Sequence, residues 1–171
     1  MWEADTFASR HRMELHYALV FCELLGRVSK KLKTLDLLPI LESAPESTRN
    51  YLAEAIRCYL LKMDRACIAL CRACVEDTLN HALTGQMQNE WRDEFNHRKK
   101  GSMEALIDVC VRHDVIGKHR QDAHYIREAG NRVLHLQVPE SASANSDVAG
   151  HVLKKTCTLI GFIHGNRSDR K

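Results

Sequence analysis

The sequence predicts an all-α protein, a single helical bundle of five to six helices. Apolar residues recur at steps of three and four along most of the 171 residues, which is the spacing of a helix with one buried face. Only eight Gly and three Pro interrupt the chain, and this favours long helices over many short strands. With 44% hydrophobic and 27% charged residues, the chain has the composition of a globular domain that buries its own core.

The first helix is predicted from about Ala4 to Lys33. Leu15, Leu19 and Cys22 begin an apolar stripe that we expect to be buried, and the stripe continues through Leu25 or Gly26, Val28 and Leu32. The stretch 35–47 contains two prolines and is predicted to be a connector. We therefore divide the domain 1–171 into an N-terminal helix with connector, 1–44, and a core, 45–164.

Two further helices follow, the first from about Pro45 to Leu61 with Ser47 as a candidate N-cap. Asp64 is predicted to cap the next helix, Arg65–Leu83, which has the clearest apolar periodicity in the sequence. Gly85 is expected to end it.

The segment Gln86–Gly101 is polar and basic, and its only large apolar residues are Trp91 and Phe95. It is predicted to be either a long loop or a short surface helix. Ser102 is then predicted to cap a helix at about 103–113. A final helix is predicted at about 147–164, after a Ser- and Ala-rich loop at 138–146.

The helix predicted to start near Lys118 carries the candidate site. Arg127, Asn131 and His135 follow one another at four-residue steps, so they lie one above another on one face. The opposite face is apolar and comprises Ala123, Ile126, Ala129, Gly130, Val133 and Leu134. Gly130-Asn131 is also a turn signal that would end the helix at Ala129. We favour a continuous helix, because the apolar face continues beyond it.

The stripe contains a cation and a proton acceptor, which cleavage of RNA without a metal would need, and a family resemblance described below implies that activity. The 2′-hydroxyl of RNA is an internal nucleophile, so Arg127 could bind the phosphate and His135 could accept the proton, aided by Asn131. Two plainer interpretations stay open. The stripe is a solvated face with a Glu128–Arg132 pair, or Asn131 and His135 bond across helices while Gly130 permits close approach.

Arg72 and Glu76 are spaced i,i+4 on the helix 65–83. They suit a half-buried ion pair that stabilises the bundle. The alternative is that they orient Arg127 or His135, which would make them supporting residues of the candidate site together with Arg132.

The net charge of +3 is too small to identify a nucleic-acid partner by itself. The basic residues are clustered, however, and the run Arg98-Lys99-Lys100 is a candidate contact with phosphates. Such runs are more often solvated loops and helix ends.

Seven cysteines, an odd number, in a chain whose start lacks the features of a secretory signal indicate reduced thiols and a cytoplasmic location. Cys67, Cys71 and Cys74 fall on one predicted helix without a second chelating pair, so we expect core packing and no metal site. We expect no cofactor either, because phosphate-binding glycine loops and nucleophile elbows are missing from the sequence. The apolar runs are too short for a membrane span.

Two segments resemble a known family. Residues 64–76, DRACIALCRACVE, and residues 126–135, IREAGNRVLH, are similar to the family called domain of unknown function 4145, which is related to the HEPN superfamily of helical bundles. The resemblance covers roughly residues 50–160. It implies a HEPN-like fold, a homodimer and a role in a prokaryotic defence or toxin-type system.

The resemblance also implies a function for the polar stripe. Active HEPN nucleases place an Arg…His motif in a cleft between two subunits and cut RNA without a metal. Carried over by position, this motif points to His135 with Arg127 or Arg132, aided by Asn131. Seven residues separate Arg127 from His135, more than active members usually have. The alternative is a non-catalytic dimerisation or interaction module that recruits a protein or nucleic-acid partner.

Overall fold

The computed structural model describes residues 43–97, 102–135 and 145–165, together with the separate helical positions 15, 16, 18, 19, 22, 26 and 29. The chain forms two compact units, residues 1–35 and 36–171. The second unit contains the predicted core, 45–164. The expectation of one domain stays a prediction.

In the first unit, the described positions are helical. The apolar stripe that was expected to be buried begins instead with exposed residues: Leu15 and Leu19 are 57% and 60% exposed, and Cys22 is exposed as well. The prediction of burial was wrong at these three positions. Periodicity identifies an apolar face, but it does not identify what covers that face. The remainder of the predicted helix 4–33 and most of the connector lie outside the described residues.

The second unit is built from helices, which confirms the all-α prediction. Its described residues form six α-helices and one 3₁₀ turn, and they contain no strand. We number the helices α1 (Glu46–Leu60), α2 (Asp64–Ala82), α3 (Gln86–His97), α4 (Met103–Arg112), α5 (Arg120–Leu134) and α6 (Ser146–Gly165), with the 3₁₀ turn at Gly117–His119 before α5. The two segments whose type the sequence left open are settled as far as they are described: 86–97 is a helix, and α5 continues through Gly130-Asn131.

Helix starts were predicted with mixed success. Ser102 caps α4 as expected, because its hydroxyl accepts a hydrogen bond from the Ala105 N–H at 3.3 Å. The cap predictions for Ser47 and Asp64 were wrong, since both residues lie inside the first turn of their helices. The Ser47 hydroxyl donates to an Asp77 carboxylate oxygen on α2 at 2.9 Å, so a tertiary contact uses the group that the local pattern assigned to a cap.

Helix α2 is the centre of the unit and packs against α1, α4, α5 and α6, while α3 packs against α4. Two glycines with positive φ lie in the joints of this region. Gly85, with φ of 57°, directly precedes α3, and Gly117, with φ of 47°, follows α4 at the start of the 3₁₀ turn. The largest fully buried side chains are Leu52, Ile68, Leu79, Leu106, Ile107, Ile116, Ile126, Leu153, Leu159 and Ile160. These side chains come from every helix of the unit except α3, which therefore lies at the surface.

None of the described helices combines the length and the hydrophobicity that crossing a bilayer requires.

Candidate active site

Helices α2 and α5 run antiparallel and carry the candidate residues on their contact. The Arg65 guanidinium donates to the Val133 carbonyl at 3.3 Å, and further along α2 the side chain of Arg72 lies against Gly130. As residue numbers rise along α2, they therefore fall along α5. This packing brings Arg72 and Glu76 next to the α5 segment that holds Arg127 and Asn131.

Gly130 permits the close approach of the two helices. A methyl group at this position would stand 2.6 Å from the Arg72 Cβ and 2.9 Å from its Cγ, which is closer than real Cβ atoms come to neighbours. The close approach that the sequence suggested for Gly130 is therefore present, and its partner is Arg72. The turn signal Gly130-Asn131 fails because the close packing against α2 requires a glycine at position 130 inside a helix.

Arg127 is half-buried, with 18% of its side chain exposed, and it lies between two carboxylates. Its Nη1 is 3.4 Å from Glu104 Oε2 on α4, and its Nη2 is 3.6 Å from Glu128 Oε1. Its Nε is buried and has no hydrogen-bond acceptor among the described residues. The predicted Glu128–Arg132 pair is absent from the ion pairs of the described residues, because Glu128 turns to Arg127 instead.

Arg72 has a similar environment. Its Nη1 lies 3.6 Å from Glu76 Oε2, and 24% of its side chain is exposed, so the half-buried i,i+4 pair expected from the sequence is present. Its Nε is likewise buried without an acceptor in the described part of the chain. Arg72 lies against Gly130, and Gly130 is one helical turn from Arg127. The contact between α2 and α5 therefore holds two arginines whose Nε donors lack an acceptor among the described residues.

His135 is the most distant member of the stripe. It ends α5 as the C-cap, its backbone N–H donates to the Asn131 carbonyl at 3.0 Å, and its side chain is exposed. Its imidazole bonds to no other helix among the described residues, so these residues lend no support to the interpretation in which His135 fixes the bundle. Eight residues from Arg127, His135 lies about 12 Å away along the helix axis.

Asn131 and Arg132 directly follow Gly130 on α5 and differ in exposure. Asn131 is half-buried, and Arg132 is exposed. Leu134 was expected on the apolar face but is 52% exposed, because α5 ends there and no helix covers its last turn. Arg98, Lys99 and Lys100 lie outside the described residues.

A polar cluster that the sequence did not reveal joins α5 to α6. The Asp122 carboxylate is 3.0 Å from Nδ1 of the buried His119, and its other oxygen accepts a hydrogen bond from Lys155. Burial alone would raise the pKa of Asp122, but the bonds with Lys155 and His119 outweigh it and lower that pKa below its usual value. No sequence signal pairs residues this far apart in the chain.

The thiols of Cys67, Cys71, Cys74 and Cys157 are buried in the core between α2 and α6. Burial raises the pKa of Cys157 to about 12, and it raises the pKa of Cys74 still further, so these thiols stay protonated at neutral pH. No group of three or more potential ligands that could hold a metal occurs among the described residues.

A second surface feature lies on α3. A groove of about 350 Å³, which we call the α3 groove, is lined by Asn80, Leu83, Gln88, Trp91, Arg92 and Phe95. The sequence offered one signal for it, the i,i+4 aromatic pair Trp91 and Phe95 in an otherwise polar segment. Their ring centroids are 5.9 Å apart in an edge-to-face arrangement.

Two of the three acidic residues of α3, Glu90 and Glu94, are paired with the C-terminal end of α4. His113 Nε2 is 2.9 Å from Glu90 Oε2, and the Arg112 guanidinium donates to Glu94 at 2.8 Å. The hydrogen bond with His113 lowers the pKa of Glu90, which keeps that carboxylate ionised. These pairs hold α3 on the bundle and orient its aromatic face.

Comparisons with known proteins identified no match to this chain. No protein-family model, no curated protein and no solved structure matches the chain.

Proposed function

We propose that this chain is a HEPN-like helical domain that cleaves RNA without a metal ion, in a prokaryotic defence or toxin-type system. The observation that supports it best is the pair of half-buried guanidinium groups of Arg72 and Arg127, whose Nε atoms lack an acceptor among the described residues. A buried donor without an acceptor costs about 1 to 3 kcal/mol. Such a cost is more easily explained at a site that binds an anion than in a purely structural contact.

The proposed reaction uses the nucleophile that RNA itself carries. The 2′-hydroxyl attacks the adjacent phosphorus, so that a P–O2′ bond forms and the P–O5′ bond breaks. His135 accepts the proton of the hydroxyl, and the departing 5′ oxygen takes a proton from solvent. Arg127 binds the phosphate and Asn131 donates a hydrogen bond to it. The products are a 2′,3′-cyclic phosphate and a 5′-hydroxyl.

A homodimer is part of the proposal, because Arg127 and His135 are about two helical turns apart on one chain. In the dimer, the phosphate lies between Arg127 of one copy and His135 of the other. Arg72 and Glu76 position the α5 helix through the contact with Gly130. The run Arg98-Lys99-Lys100 contacts the RNA backbone outside the reacting phosphate.

The test is incubation of the purified protein with single-stranded RNA in EDTA, followed by analysis of the product ends. The proposal expects cyclic phosphate ends, no cleavage of the same sequence made with 2′-deoxyribose, and a rate about 100- to 10,000-fold lower for His135→Ala. His151→Ala, which removes an exposed histidine from α6, is the matched control and should retain activity. RNA left intact at micromolar wild-type protein would refute the catalytic proposal.

The dimeric site has its own test. Arg127→Gln and His135→Ala are each expected to be inactive, and mixing the two proteins should restore part of the activity, because a mixed dimer holds one intact Arg127 opposite one intact His135. If the mixture stays inactive while each variant still dimerises in sedimentation, the shared site is disproved.

A non-catalytic interaction module is the second candidate. The observation that favours it is the set of acidic neighbours, Glu104 and Glu128 beside Arg127 and Glu76 beside Arg72, since carboxylates compete with phosphate for the guanidinium groups. It predicts that Arg127→Ala lowers the free energy of unfolding by about 1 to 3 kcal/mol. It also predicts that neither wild type nor any variant cuts RNA.

A further inference from the structure

The α3 groove lies on a different helix from the proposed cleavage site, and its lining has an unusual composition. Phe95 is 49% exposed, although a large aromatic side chain normally avoids water. Trp91 is half-buried beside it, and Leu83 forms the buried floor. The groove therefore offers an aromatic surface that the described part of the chain leaves open.

The polar residues around this surface are of two kinds. Asn80 and Gln88 are exposed carboxamides, which can both donate and accept hydrogen bonds. Arg92 is exposed and has no ion pair with another described residue. An aromatic ring, carboxamides and an arginine are the side chains that bind an unpaired nucleobase by stacking, by its edge and by its phosphate.

Two of the three carboxylates of α3 already have partners, which limits their repulsion of an anionic ligand. Glu90 and Glu94, the carboxylates of α3 that lie nearest to the aromatic residues in the sequence, are paired with His113 and Arg112, so Asp93 is the remaining acid of this turn.

The size of the α3 groove also favours a nucleobase over a protein as its ligand. A stable protein interface buries about 800 Å² on each side. The α3 groove exposes only two large apolar side chains, and its volume of about 350 Å³ is at the lower end for small-ligand sites. One stacked base matches such a groove better than a protein surface does.

We propose that the α3 groove binds an unpaired base of single-stranded RNA, stacked on the exposed ring of Phe95 beside Trp91, with Arg92 on its phosphate. The choice of RNA over DNA rests on the proposed function, whereas the stacking site does not. The groove would then hold the substrate strand apart from the residues that cut it. Loss of the groove should weaken binding, and loss of His135 should weaken only cleavage.

Tryptophan fluorescence gives a direct test. The chain has two tryptophans, so Trp2→Phe leaves Trp91 as the only tryptophan, and excitation selective for tryptophan then reports on this residue alone. The probe is 2′-O-methyl oligouridine about 12 nucleotides long in EDTA, which cannot be cleaved through its 2′ position. Binding should quench Trp91, and Phe95→Ala should weaken the affinity about 5- to 150-fold. Arg92→Gln should weaken it less and flatten the salt dependence.

Controls keep the two proposals separate. Tyr51→Ala removes an exposed aromatic ring from α1 and should bind like wild type. His135→Ala should bind normally even if no variant ever cuts RNA, so failure of the nuclease proposal leaves this one standing. Unchanged affinity in both Phe95→Ala and Arg92→Gln would overturn the stacking site. So would a change in self-association of Phe95→Ala without a change in RNA binding, which would indicate a protein interface.

Discussion

Gly130 of α5 lies directly against the side chain of Arg72 on α2, and the Arg72 Cβ is 2.6 Å from where a methyl group at position 130 would stand. The contact joins the two helices that carry the candidate site. It also explains why α5 keeps a glycine in its interior, where glycine costs about 1 kcal/mol relative to alanine.

Gly130→Ala should therefore destabilise the protein even though alanine is the better helix former. The added methyl group must push α2 and α5 apart or move Arg72, and overpacking of this kind costs about 1 to 3 kcal/mol. After the gain in helix propensity is subtracted, we expect a net loss of about 1 to 2 kcal/mol in the free energy of unfolding. Urea denaturation followed by circular dichroism measures it.

Gly165→Ala is the matched control for this substitution. Gly165 is also helical, but no atom of the described residues lies within 4 Å of where its methyl group would stand. It should leave stability unchanged or raise it slightly. Equal effects of the two substitutions would show that the contact between Gly130 and Arg72 does not limit the helix approach.

Much of the fold follows from sequence periodicity, because a helix that buries one face must repeat its apolar residues every three to four positions. In α6, the buried residues Val152, Leu153, Thr156, Leu159 and Ile160 have this spacing, and the helix was predicted at about 147–164. Helix ends were harder to predict. Ser47 has the side chain of a cap, yet its hydroxyl bonds to Asp77, a partner 30 residues away.

The candidate site could likewise be predicted only in part from the sequence. Periodicity correctly placed Arg127 and Asn131 on the polar side of a continuous helix, and it suggested the pair of Arg72 with Glu76. It could not reveal Glu104 as a neighbour of Arg127, since that carboxylate comes from another helix. Contacts between helices depend on how the bundle packs, and no local pattern encodes them.

Asp122 provides a prediction about pH. Its carboxylate joins α5 to α6 through His119 and Lys155, and a hydrogen bond to a charged group contributes about 1.5 to 3 kcal/mol. Asp122→Asn should lower the free energy of unfolding by about that amount near pH 5. Asp93→Asn, at an exposed position of α3, is the control and should change stability little.

The pH dependence follows from the sign of the shift. The folded pKa of Asp122 lies below the ordinary 3.8, so the ionised carboxylate binds its partners in the folded state above that pH. As the pH falls below 3.8 and through the lower folded pKa, the carboxylate is protonated and the contribution is lost. The stability difference between wild type and Asp122→Asn should therefore shrink below pH 3.8. A difference that grows on acidification would contradict the ion-paired description.

The cysteines differ in exposure, and we expect their reactivity to differ accordingly. Six of the seven are buried, and Cys22 is exposed. Burial raises the pKa of Cys110 to about 12, and the thiolate is the species that reacts with disulfide reagents. We expect a chromogenic disulfide reagent to modify one thiol rapidly in the folded protein and all seven after denaturation in guanidinium.

Cys22→Ser separates exposure from partial unfolding. In this variant, the fast phase should disappear, and the remaining thiols should react only at the rate at which the helices open, because a neutral buried thiol has neither access nor charge. A fast phase that persists in Cys22→Ser would mean that a thiol of α1, α2, α4 or α6 reaches solvent. The close packing between α2 and α6 would then have to be looser than the burial of Cys67, Cys71 and Cys74 indicates.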